Sequence, residues 1–179
     1  MSWQELSQLV SISFVCGWCG NKVATDEGYF NSLNGARISP CPHCGKPSFF
    51  RGDKQFPGAS YGDDVKNLPV DVAEIYQELR QLHATGAWTS IVLLGRKLLM
   101  HVAVSKGAGE NQRFIQYVEY LCDEYVARNN RGWIDRVRTL GNTATHDLQI
   151  MTKEDAELIT DFSAMILKLI YEFSPPEAP

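Results

Sequence analysis

The chain contains no run of roughly 18 uncharged apolar residues, so no segment reads as a membrane-spanning helix. Its start, Met1 to Val10, lacks a basic stretch followed by an apolar one. That pattern argues against a secretory leader and gives a cytoplasmic expectation. An excess of positive charge is missing too: 17 Lys and Arg stand against 21 Asp and Glu, with a formal charge of -4 and a pI near 5.6. A nucleic-acid-binding domain usually shows a basic face, so any such surface here has to be a local patch. There is no P-loop, no dinucleotide-binding glycine motif and no nucleophile elbow, which removes the common signatures of nucleotide-dependent and hydrolytic enzymes. No segment recurs at a fixed period, which excludes a solenoid.

What is present divides the 179 residues in two. Residues 1–52 hold short β-like runs, Ser11 to Val15 and Lys46 to Arg51, punctuated by Gly17, Gly20, Gly28, Gly35 and Gly45, the pattern of hairpins. Residues 53–69 lose periodicity and collect Gly, Pro, Asp and Ser, which reads as a linker. Beyond Pro69 the spacing turns helical. Val72, Ile75, Tyr76, Leu79 and Leu82 form one stripe ending at Gly86; Ile91, Leu94, Leu98 and Val102 form another, with Gly107 as its cap. A third stripe carries Phe114, Tyr117, Val118, Leu121 and Tyr125, and a fourth starts near Trp133 with Val137, Leu140 and Ala144. The last opens on a Thr152/Asp155 capping box and continues through Ala156, Ile159, Phe162, Met165, Ile166, Leu169 and Phe173. The expected architecture is mainly α: a small β ribbon, then an up-and-down bundle of about five helices over residues 70–175.

Four of the five cysteines form two pairs, Cys16-Gly-Trp-Cys19-Gly and Cys41-Pro-His-Cys44-Gly, with 21 residues between Cys19 and Cys41. Two C-x-x-C turns on facing hairpins supply the tetrahedron of soft ligands that zinc prefers, so Cys16, Cys19, Cys41 and Cys44 are the expected ligands of a structural Zn2+. A redox role needs one such pair within a βαβ pattern, which is lacking. His43 sits inside the second pair but is superfluous beside four sulfurs. Cys122, within a helical stripe, reads as a small buried apolar residue.

The fourth helical stripe carries Arg138, Asn142 and His146 at i, i+4 and i+8, positions that drift by only about 80° and so share one face. Arginine for phosphate charge, asparagine for orientation and histidine for proton transfer could act on RNA. Equally, Arg138 could pair with Asp135 while Asn142 and His146 satisfy structural hydrogen bonds.

The order Asn67-Leu-Pro69, Tyr76, Gly86-Ala-Trp88, Arg96-Lys-Leu-Leu99, Arg138 through His146 and Met151 through Ala156 resembles the bacterial domain of unknown function 4145 from about Pro69 to Pro175. That domain is similar to the HEPN superfamily of helical bundles, whose active members are metal-independent ribonucleases that commonly dimerise. The resemblance implies a HEPN-like bundle, a homodimer and membership in prokaryotic defence or restriction-associated loci. The superfamily motif places an arginine before a polar residue and a histidine four to six residues on. Here Asn142 and His146 match, Gly141 holds the arginine position, and Arg138 lies one turn earlier.

Three functions follow. The first is a module that binds nucleic acid or protein. The second is a HEPN-type endoribonuclease with His146 as general acid or base, Arg138 on the phosphorane charge and Asn142 orienting both. The third is a zinc-stabilised scaffold without a ligand. The displaced arginine and the acidic balance favour the first.

Overall fold

The computed structural model describes residues 3–126, 134–137, 139–140 and 150–173. The chain splits into two compact units, Met1–Ser60 and Tyr61–Pro179.

The first unit is an antiparallel meander of five strands in sequence order: β1 (Ser7–Val15), β2 (Lys22–Asn31), β3 (Ala36–Pro40), β4 (Pro47–Arg51) and β5 (Lys54–Phe56). β2 pairs with β1 through Lys22 to Gly28 and with β3 through Tyr29 to Asn31, so one strand serves two ladders. The crossing point is tight: a Cβ on Gly28 would lie 2.4 Å from the Ile38 carbonyl oxygen. This bend lets β1 cover one face of the β3–β4 ladder, where Phe14 meets Phe50 edge-on at 4.9 Å. Between Gln8 and Ile12 β1 bulges out of register, which frees its main chain for another partner. Arg37, buried at 8% exposure, supplies it by donating to the Val10 carbonyl, to Thr25 O at 3.1 Å and to Ser39 Oγ at 2.7 Å. One guanidinium thus ties together three strands.

In the second unit α1 (Val70–Leu82) runs into a 3-10 turn, His83–Thr85, that Gly86 closes at a φ of 71°. α2 (Trp88–Ser105), α3 (Phe114–Tyr125) and α4 (Lys153–Leu167) follow, and residues 134–137 and 139–140 are helical. α2 occupies the middle, in contact with α1, α3 and α4. Its interior Gly95 is costly for a helix. A Cβ there would stand 2.6 Å from Ile159 Cγ1, so the missing side chain is what lets α2 and α4 approach. The capping box forms as expected: Thr152 N donates to Asp155 Oδ2 at 2.9 Å and Asp155 N to Thr152 Oγ1 at 3.2 Å. Ala156, Ile159, Phe162 and Ile166 are buried with Val72, Tyr76, Leu79, Ile91, Leu98, Val102, Phe114, Tyr117, Val118 and Leu121 of the first three stripes; Ile75, Leu82, Leu94 and Tyr125 pack against them half-buried, and Val137 and Leu140 join the core.

Residues 61–68 lie along the helices as a strap. Tyr76 Oη donates to Asp63 O at 2.7 Å, Arg80 Nε to Tyr61 O at 3.2 Å and Arg80 NH2 to Gly62 O at 3.0 Å. Farther along the chain Tyr61 Oη donates to Asp161 Oδ2 at 3.2 Å, Lys168 pairs with Asp63 at 2.6 Å and Asn67 Nδ2 donates to Tyr171 O at 3.4 Å.

Three expectations change. The chain is α plus β rather than mainly α, because strands β2, β3 and β5 join the two runs legible in the sequence. The stretch 53–69 is shared out: residues 54–56 pair with β4, and Tyr61 onward belongs to the helical unit. The apolar stripe of the last helix does not reach Phe173, which is 67% exposed. A π-helical turn, Lys168–Glu172, advances the chain by fewer degrees per residue and puts Ile170 in the buried place. Among the described residues no helix is long and apolar enough to cross a membrane.

Candidate metal centre

The two C-x-x-C turns fold alike. Cys16 N donates to Asn21 O and Gly20 N to Cys16 O; in the second, Cys41 N donates to Lys46 O and Gly45 N to Cys41 O, all at 2.8–2.9 Å. Gly20 and Gly45 take φ of 72° and 70°, a left-handed conformation that strains any L side chain. Each glycine therefore closes its knuckle. Gly17 has a different constraint, since a Cβ there would meet Pro57 O at 2.3 Å.

This repetition brings the sulfurs of Cys16, Cys19, Cys41 and Cys44 within 4.8 Å of one another. Cys16 and Cys44 are 3.8 Å apart and Cys19 and Cys41 3.9 Å. A tetrahedron with Zn–S bonds of about 2.3 Å has edges of about 3.8 Å, which these two separations match, so the cluster is compatible with zinc. All four thiols are free of disulfides. Their environments differ. Burial pushes the Cys16 thiol up to about 12, whereas the Asn21 backbone N–H, more than any other group, holds Cys19 down at about 6. Asn21 also donates its side-chain amide to Cys19 Sγ at 3.6 Å and reaches His43 Nδ1 at 3.1 Å. His43 is thereby an exposed bridge between knuckles, outside the sulfur cluster. Trp18 Nε1 donates to Pro47 O at 2.7 Å and ties the first knuckle to β4.

Arg138, Asn142 and His146 lie outside the described residues. Residues 77–177 match the family described as Domain of unknown function (DUF4145). The chain belongs to this family. No curated protein and no solved structure matches it. The DUF4145 match begins within α1 and covers the helices, so the sulfur cluster lies ahead of it.

Within the helical unit aromatic and polar residues surround His83, a residue whose helical setting gave no sequence signal. His83 stacks on Tyr61 at 4.5 Å, meets Trp88 edge-on at 5.9 Å and lies 2.8 Å from Thr160 Oγ1 through Nε2. Thr160 gives its own proton to Ala156 O at 2.8 Å, so it accepts from His83 and fixes the Nε2–H tautomer. Burial lowers the imidazole pKa to about 4 and raises that of Tyr61 to about 12. A neutral histidine that spends its one donor on a threonine joins the strap to the helices. His101 instead forms a surface pair with Asp71 at 2.6 Å. Cys122 is buried.

Proposed function

We propose that the protein is a non-catalytic recognition module in which a structural Zn2+ holds the N-terminal ribbon and the ribbon sheet meets a macromolecular partner. The observation that carries this reading is the four-sulfur cluster, with edges of 3.8 and 3.9 Å. Four thiolates fill the coordination sphere of zinc and leave no position for water or substrate, so the ion serves folding rather than chemistry. The ribbon's own buried cluster is small, with Phe14, Cys16 and Cys41 at its centre, and a module of that size needs a staple. Apolar side chains that a metal-held unit keeps on its surface are available for a partner. Val10, Phe30, Leu33 and Phe56 are among those exposed.

Cys41→Ser tests the metal. One zinc per chain in the wild type should fall clearly below that in the variant, and the first 60 residues should become protease-sensitive while helical circular dichroism persists. Full zinc content with an equally resistant ribbon would overturn the reading. The same wild-type protein should leave RNA intact. Cleavage that disappears in His146→Ala at unchanged melting temperature would replace this reading with the ribonuclease one, with Arg138 as the substitute arginine.

A further inference from the structure

We infer that the outer face of the ribbon sheet binds single-stranded nucleic acid, by stacking bases on an aromatic row and taking phosphate on Arg51 and Lys54. The inference rests on the recognition-module reading and names its partner.

The register puts Tyr29, Ile38, Phe49 and Phe56 directly opposite one another across β2, β3, β4 and β5, so their side chains emerge on the same face. That is the face turned away from Phe14 and Phe50. Ile38, Phe49 and Phe56 remain 37%, 36% and 49% exposed, and Phe49 and Phe56 lie 6.4 Å apart. Four strands at the usual spacing make a row about 14 Å long, room for about two or three bases on a β-sheet.

The next row on this face is Asn31, Ala36, Arg51 and Lys54. Arg51 and Lys54 are direct register partners, an arrangement that costs stability unless something compensates the like charges. Neither belongs to any of the ion pairs found among the described residues, including with Asp53 in the intervening turn. The asparagines have the same polarity. Asn31 Oδ1 accepts from Leu33 N and Asn34 Oδ1 from Ala36 N, both at 3.0 Å, so each oxygen is turned toward its own turn and the amide also offers an NH2. A groove of about 340 Å³ lies among Tyr29, Asn31, Asn34, Ile38, Phe49 and Arg51. The Arg51 guanidinium and the asparagine NH2 groups bring N–H donors beside exposed rings, which suits a ligand with anionic oxygens and flat apolar faces. An acidic peptide would use the cations but gain less from an aromatic row. Residues 1–60 carry five Lys or Arg against four Asp or Glu, so the ribbon escapes the acidic balance of the whole chain.

The test uses the full-length zinc-loaded protein and fluorescein-labelled oligo-uridine and oligo-thymidine of about 12 nucleotides, read by anisotropy at about 50 mM salt. Both strands should bind, and a duplex of equal length should bind about tenfold more weakly because its bases are already stacked. R51Q/K54Q should weaken binding about tenfold or more and flatten the salt dependence by about 1.4 in log–log slope, about 0.7 for each lost phosphate contact. Phe49→Leu keeps apolar volume but removes the ring, and should weaken binding about fivefold with an unchanged salt slope. Zinc content and far-UV circular dichroism confirm that each variant is folded. No binding by wild type, equal binding of the duplex, or binding untouched in both folded variants would overturn the inference. With one zinc per chain still in place, that result would overturn the nucleic-acid assignment of this face while leaving the recognition-module reading standing.

Discussion

A single imidazole gives the helical unit a pH response. Because burial lowers the His83 pKa from 6.5 to about 4, the folded protein resists protonation that the unfolded chain accepts. Stability conferred by neutral His83 is therefore full above about pH 6.5, falls as the pH drops toward 4, and changes no further below it. His83→Gln should flatten that acid limb in urea titrations run across the interval. By NMR the His83 ring protons should not titrate at pH 6 and should shift only as the pH approaches 4. A normal His83 midpoint would remove the stacked, threonine-bound geometry. The sequence offered no hint of this role, since Tyr61, Trp88 and Thr160 come from three separate segments and only the fold assembles them.

At the scale of elements the helix packing makes two quantitative demands. Phe162 is fully buried, so Phe162→Ala should cost about 3–5 kcal/mol in a denaturant titration. A loss below about 1 kcal/mol would mean that the inner face of α4 is misassigned. Gly95→Ala is the opposite kind of lesion. Helix propensity alone would reward it by about 1 kcal/mol, but the 2.6 Å approach to Ile159 makes α2 and α4 separate, and a net loss of about 1–3 kcal/mol is expected. A net gain would show that the interface has slack. The helices were legible because each stripe repeats at helical spacing and Gly86, Gly107 and Thr152 mark its ends. β2 and β3 were not. β2 carries Asp26, Glu27 and Gly28 in mid-strand, and β3 is only five residues long, so neither shows a run of β-formers. Their pairing comes from the ladders and from Arg37, which are long-range facts. The clustering of Cys16, Cys19, Cys41 and Cys44 was legible because two C-x-x-C turns announce themselves by residue type and spacing alone. The outer aromatic row needed the register of four strands.

For the whole molecule, two units with separate cores should lose structure separately. A strong chelator should strip the metal and unfold residues 1–60, while the helices of the DUF4145 part melt later and at an unchanged temperature. Differential scanning calorimetry with and without chelator checks this. A single transition that shifts as one would show that the two cores fold as a unit. The dimer that the family resemblance implies is measured by sedimentation, and a monomer at micromolar concentration would count against it.

The strap has a consequence for the order in which the chain is made. Among the described residues, the hydrogen-bond and packing partners found for the two knuckles lie at or before Gly58, so the ribbon can close while the ribosome is still adding helices. The helical unit has no such early finish. Tyr61, Asp63 and Asn67 must wait for Asp161, Lys168 and Tyr171, about a hundred residues later. At elongation rates of about 5–20 residues per second that is a delay of about 5–20 s, with the strap and the apolar sides of α1 and α2 uncovered. Premature termination anywhere between α2 and α4 would release a chain with a completed ribbon attached to helices that cannot seal, a natural substrate for chaperones and proteases.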